Sequence, residues 1–276
     1  MYRDARGYFA FPLIEEDLVL DDFDKWSIVG DLVGALKAGD LRAAPTVLEL
    51  YDRDADWVRR GAYVKMIGDA APDALVERIH SHLQTGLPVD YSWDFAELLF
   101  HWGRLDIVPT LARGWRAAYQ YQDGPDIPPR LALLLEEESW GPLRTDFPRK
   151  VDEKQADAYV ARVLARHAEL VESLGEHAFV FRGRLLDLEW IARRGLQDLA
   201  DGEFDSRMRR KFEAMTGIDC SCFYHKEKLQ PLAAAAVFEA FLASPERKAF
   251  TPGRRYFFGH PIPPGDPAGA SEWPPR

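Results

Sequence analysis

Between residues 39 and 83 the apolar positions recur every three or four residues, interrupted at intervals that suit pairs of short helices. Leu41, Ala44, Val47, Leu48 and Tyr51 share one helical face. Asp40 stands where an N-cap is needed, and Pro45 falls in the first turn, where helix N–H groups have no partner to lose. The polar run Asp52, Arg53, Asp54, Ala55, Asp56 predicts a chain reversal, because Asp side chains bond nearby backbone N–H groups. A second stripe follows through Val58, Ala62, Met66 and Ile67, and Gly68 is expected to end it with a left-handed cap. Residues 69–72 then repeat the start signal and launch Leu75, Ile79 and Leu83. The pattern predicts stacked helix pairs.

The same logic extends outward. Trp26, Val29, Leu32, Val33 and Leu36 predict a first helix ending at Gly39, and residues 84–91 read as a loop. Ser92 caps a helix through Trp102 that Gly103 closes. The run from Gly103 to Pro109 echoes that from Gly39 to Pro45, an internal repeat spanning two helix pairs. Leu111, Trp115 and Ala118 continue the next helix, and the Pro- and Gly-rich stretch 123–129 breaks the regularity. Past a boundary near residue 140, Ala156, Tyr159, Val160, Val163, Leu164, Leu170, Val171 and Leu174 form the strongest amphipathic helix, closed by Gly175. Leu185, Leu188, Ile191 and Leu199 are expected to continue the helical theme. Arg207, Arg209, Arg210 and Lys211 give the next helix a basic face, expected in solvent, and Pro231 opens a final Ala-rich helix. The segment 256–262 is expected to tie onto the helices as a non-helical end cap, with 265–276 fraying. The organisation expected is therefore 1–140 as acidic helical repeats, 141–264 as further helices and cap, and 265–276 as tail.

The stretch 39–83 resembles the HEAT-like repeats of bacteria, of the type also found in phycobilisome lyases. The likeness is carried by Asp40, Ala43, Pro45 and Val47 on the first helix, the Asp-x-Asp turn, Val58-Arg59 and Ala62 on the second, and Gly68. It implies an all-α fold, an α-solenoid of helix pairs whose usual work is binding other macromolecules, with Arg59 and Arg60 structural and the Val-Arg pair anchoring Asp side chains of the adjacent turn.

Charge sharpens this picture. Residues 1–140 carry 14 Lys/Arg against 25 Asp/Glu, a net −11, whereas 141–276 carry 21 against 20, a net +1. A field of that sign repels nucleic acid and speeds encounter with a basic partner. No apolar run is long enough to cross a membrane and residues 1–24 lack a signal-peptide pattern, so a cytoplasmic protein is expected. Cys220 and Cys222, one residue apart, are expected to be free thiols.

Catalytic signatures are missing: there is no Gly-rich phosphate loop, no His-Glu-x-x-His pair and no Gly-x-Ser-x-Gly elbow. Glu77 and His80 share the spacing of a di-iron ligand pair without the second copy such a centre needs, and Cys220, Cys222 and His225 fall one ligand short of a closed zinc site. No cofactor or metal is expected. The expected function is a protein-binding module, an immunity (antitoxin-like) protein that sequesters a basic toxin such as a nuclease. Its contacts are expected at Asp21, Asp22, Asp24, Asp52, Asp54, Asp56, Glu136, Glu137 and Glu138. A general scaffold or adaptor, and a HEAT-like DNA glycosylase or lyase, remain as alternatives.

Overall fold

Helix α1 (Phe23–Lys37) buries Val29, Val33 and Leu36 and ends at Gly39, whose φ of 88° lets the chain turn into the next pair. The computed structural model describes residues 23–54, 56–84, 92–118, 127–138, 141–145 and 153–265. Helices dominate, twelve among the described residues, joined by three short hairpins toward the carboxyl end.

Asp40 accepts a bond from the Arg42 N–H and caps a 3₁₀ turn, Leu41–Ala43, which runs into α2 (Ala44–Arg53) with Pro45 in its first turn. All five residues of the expected stripe, Leu41 through Tyr51, are buried. A 3₁₀ turn leading into a helix also follows Gly103. Gly103, at φ 77°, leads through the 3₁₀ turn Leu105–Ile107 into α6 (Val108–Ala118). Between them lie α3 (Trp57–Ala70), α4 (Asp73–Gln84) and α5 (Ser92–Trp102).

Gly68 does not end α3. The helix continues to Ala70, and Gly68 instead marks where α5 crosses it: a Cβ there would lie 2.6 Å from the Leu98 carbonyl oxygen and 2.6 Å from the His101 Cβ. The missing side chain admits a neighbouring backbone rather than a left-handed turn. Gly68→Ala should therefore destabilise the protein by about 1–3 kcal/mol, because overpacking against backbone outweighs the smaller gain in helix propensity. A urea-unfolding midpoint equal to or above that of the wild type would refute this close approach.

The second half begins with α7 (Ile127–Leu135), the short α8 (Pro142–Thr145) and the long α9 (Glu153–Leu174), closed as expected by Gly175 at φ 93°. Helix α9 buries Ala156, Tyr159, Val163 and Leu170, but Leu164 stays 36 % exposed, off the stripe to which its spacing assigned it. Leu185 is not helical. It belongs to a hairpin of β1 (Val180–Phe181) and β2 (Arg184–Leu185), after which come α10 (Leu188–Asp201) and α11 (Ser206–Thr216). A second hairpin, β3 (Tyr224–His225) with β4 (Lys228–Leu229), precedes α12 (Pro231–Ala243); a third pairs β5 (Tyr256–Phe257) with β6 (His260–Pro261).

Each hairpin turns on two residues of positive φ: Arg182-Gly183, Lys226-Glu227 and Phe258-Gly259. That is the two-residue geometry whose twist matches the strands it joins. Behind the hairpins an aromatic core gathers Phe204, Phe212, Phe223, Phe238 and Phe241, with ring centroids 5.0–6.0 Å apart in tilted or edge-to-face pairs. Gly195 of α10 admits the Phe238 ring, since a Cβ would sit 2.6 Å from it.

The third hairpin is held down as expected of 256–262, but against the amino-terminal helices as well as α11. The Asp73 and Ala74 N–H groups donate to the Pro263 and Pro264 carbonyls, and the Phe258 N–H donates to the Ala214 carbonyl. The carboxyl end of the described chain is thus bonded to the start of α4.

Candidate functional site

Of the acids expected to meet a partner, Asp21 and Asp22 lie outside the described residues, and Asp24 in α1 and Asp52 in α2 have side chains outside them. Asp54 follows α2 and accepts from Arg59 at 2.5 and 2.8 Å and from the Tyr63 hydroxyl at 3.1 Å. Burial pushes its carboxyl up, but Arg59, the Asp56 N–H and Tyr63 together prevail and bring it down to about 2. Asp56 takes the Arg59 N–H at 2.9 Å, capping the start of α3. Arg59 is the anchor of this turn, and Arg60 donates to the Tyr51 hydroxyl at 2.8 Å.

The second group of acids follows α7. Glu136 is buried and accepts the Leu143 N–H at 2.7 Å, packed so closely on Gly141 that a Cβ there would lie 2.4 Å from its carboxyl carbon. Glu137 pairs with Arg184 at 3.4 Å and Glu138 with Arg194 at 2.9 Å, and both remain open to solvent, 44 % and 65 % exposed. The structure therefore gives Asp54, Asp56 and Glu136 work inside the fold and leaves Glu137 and Glu138 partly available.

A more heavily charged site lies where the two halves meet. Asp69 of α3 faces His101 Nδ1 of α5 at 3.4 Å, Arg210 of α11 at 3.1 Å and Lys211 Nζ of α11 at 4.0 Å. The other nitrogen of His101 lies 3.0 Å from Glu97, which accepts from Arg130 Nε of α7 at 2.5 Å. Beside them Arg255, just before β5, donates to the carbonyls of Gly68 and Ala71 and to Asp73, at 2.7, 3.0 and 2.7 Å. Trp102 Nε1 donates to the same Asp73 oxygen at 3.1 Å.

Helix α11 supplies its cations inward. Arg209 is fully buried, Lys211 is buried and Arg210 pairs with Asp69, so the face expected in solvent is a structural seam. Long basic side chains cover apolar surface with their stems while their heads find partners, which is why spacing alone misplaces them. The chain matches no family model, no curated protein and no solved structure.

The electrostatics follow from the packing. Burial raises the Asp69 carboxyl, yet His101, Arg210 and Lys211 outweigh it and hold the group well below the usual carboxylate range. Burial likewise opposes Glu97, and its bonds and charges from His101 and Arg130 again prevail. Lys211 moves the other way, drawn down by burial to about 8 despite Asp69. Its Nζ donates to the His101 carbonyl at 2.7 Å. Next to it a cavity of about 10 Å³ is lined by Phe100, His101, Val180, Phe181, Arg207 and Lys211, room for about one water molecule.

Among the described residues no three His, Cys, Asp or Glu side chains cluster as metal ligands. His80 Nε2 sits 2.8 Å from the Thr110 hydroxyl, and Glu77 pairs with Arg104 at 2.5 Å. Cys220 is buried and Cys222 exposed, both as free thiols. Burial pushes the Cys220 thiol far up, away from nucleophilic chemistry at neutral pH. Sequence reasoning missed Asp69, Glu97, His101 and Arg255 because nothing in their spacing sets them apart; they are joined only by tertiary contact.

Proposed function

We propose that this chain is a non-catalytic binding module, a solenoid of HEAT-like helix pairs whose acidic amino-terminal half captures a basic protein, as an immunity protein captures a toxin. One observation carries the proposal. Among the described residues the buried charged side chains are seven Arg or Lys (Arg59, Arg104, Arg130, Arg182, Arg209, Lys211, Arg255) and four Asp or Glu (Asp69, Glu136, Asp198, Glu213). Among the described residues, folding thus withdraws three more positive than negative charges (7 − 4), which makes their exposed surface more acidic than their sequence alone implies. Such a surface accelerates encounter with a basic protein and rejects nucleic acid.

The test is capture of partners by the tagged chain from its native host at low and at high salt. One dominant basic protein, bound stoichiometrically and released as salt rises, is the expected result. Neutralising Asp21, Asp22 and Glu138 together as Asn, Asn and Gln should weaken that capture and flatten its salt dependence. Asp54 and Asp56 are poor choices for this purpose, since they hold Arg59 and the start of α3. Several partners of unrelated charge would replace the immunity proposal with a general adaptor. Excision of alkylated bases, or tetrapyrrole binding, by the purified protein would replace it with an enzyme.

A further inference from the structure

Among the described residues, the cavity between α5, β1 and α11 has a donor left without a full set of acceptors. Lys211 is 10 % exposed, and an ammonium carries three N–H groups. The His101 carbonyl takes one at 2.7 Å; Asp69, at 4.0 Å, is a neighbouring charge beyond hydrogen-bond range. The nearby carboxylates are committed to other cations, Asp69 to Arg210 at 3.1 Å and Asp73 to Arg255 at 2.7 Å. One turn earlier on α11, Arg207 also lines the cavity, 34 % exposed, and its guanidinium touches Asp205 only at 3.4 Å. A buried cation with open donors shares the cavity with a half-open one, and the remaining lining residues are His101 and the apolar Val180, Phe100 and Phe181.

We propose that this cavity binds the carboxylate of a small organic acid, with one oxygen on Lys211 and the other on Arg207. The space decides the size of the group, since about 10 Å³ admits a single heavy atom and the rest of the ligand must lie outward beside Arg207. The charge decides the class. Asp69 lies close enough to Lys211 to oppose a dianion such as phosphate, whereas a monoanion is balanced by the two cations. A planar carboxylate also suits the fork of an arginine. This binding is independent of the acidic face and of any protein partner.

The experiment is titration of the full-length chain with sodium acetate, propionate and benzoate by calorimetry, at constant ionic strength, with chloride and phosphate as comparison anions. The monocarboxylates should bind more tightly than chloride or phosphate. Arg207→Gln, which alters a half-exposed side chain, should weaken the best acid by about tenfold, the effect of one lost charged hydrogen bond. Lys211→Met should abolish binding if the variant folds; Arg207→Gln tests the site if it does not. Affinity should also fall as pH rises past about 8, where Lys211 loses its proton. The titratable and charged groups facing that ammonium are Asp69 from α3, His101 from α5, Arg210 on its own helix and Arg255 before β5. Binding no tighter than chloride, tighter binding of phosphate, or unchanged acid affinity in Arg207→Gln would each overturn the proposal.

Discussion

Replacing Asp69 by Ala should lower the unfolding free energy by about 3–5 kcal/mol, the range for removing one partner from a buried charge network. The carboxylate is 2 % exposed and is the only acid within 4.0 Å of Lys211 among the described residues. It joins α3, α5 and α11, so its loss strands basic groups that packing still holds away from water. A domain of this size has about 5–15 kcal/mol in total, and the change would show plainly in a urea midpoint. Asp69→Asn should be nearly as damaging, because an amide keeps the shape and loses the charge. A loss below about 1 kcal/mol would place the network among the near-neutral ion pairs of protein surfaces.

The same network predicts a pH profile at both ends. Asp69 and Glu97 sit below their ordinary values, so their contribution is complete above about pH 5 and is lost as pH falls through the ordinary carboxylate range near 4 and beyond. Asp69→Ala should lose less stability than the wild type on acidification. Lys211 acts in the opposite direction. Its folded value of about 8 lies below the ordinary 10.5, so the unfolded chain binds that proton more tightly across the interval. Stability should therefore rise with pH between about 8 and 10, and Lys211→Met should remove the rise.

Arg255→Met is expected to be comparably severe, about 3 kcal/mol or more, since Met keeps the bulk while three bonds to the charged head disappear. Two of those bonds reach the Gly68 and Ala71 carbonyls, at the end of α3, where helix carbonyls lack intrahelical partners. The third reaches Asp73 at the start of α4. Arg255 thus caps one helix, joins the next and carries the third hairpin, all from a side chain 3 % exposed. Limited proteolysis should cut the variant around residues 250–265 while sparing the wild type. Equal protection of the two would show that the hairpin is held by its apolar contacts alone, among them Tyr256, Phe257 and Ile262, all buried.

The amino-terminal helices were legible because burial there follows a single period. Leu41, Ala44, Val47, Leu48 and Tyr51 face one way, and Asp40, Gly39, Gly103 and Gly175 punctuate them with capping chemistry that acts within a few residues. The hairpins were hidden for an equally local reason. The sequence contains no Asn, so the two-residue turns are made by Arg-Gly, Lys-Glu and Phe-Gly in place of the usual Asn-Gly, and strands of two residues are too short to show alternation. The junction was illegible in a deeper sense. Gly68 and Asp69 have a plausible local role, as cap and start signal, and Arg210 and Lys211 as solvated bases; contacts with α5 and contacts across 110–187 residues reassign them.

Those separations also govern how the protein is made. Asp69 and Glu97 leave the ribosome long before Lys211, Arg210 and Arg255, with 187 residues between the Gly68 carbonyl and the arginine that caps it. At about 5–20 residues per second, the amino-terminal helices wait roughly 10–40 s before that clamp exists. During that interval α3 and α5 can pair, but Asp69 has neither of its α11 cations and stays best solvated at an open seam. The nascent chain is thus a half-finished helical layer with a wet, negatively charged edge, and folding completes only when the last hairpin arrives to close it.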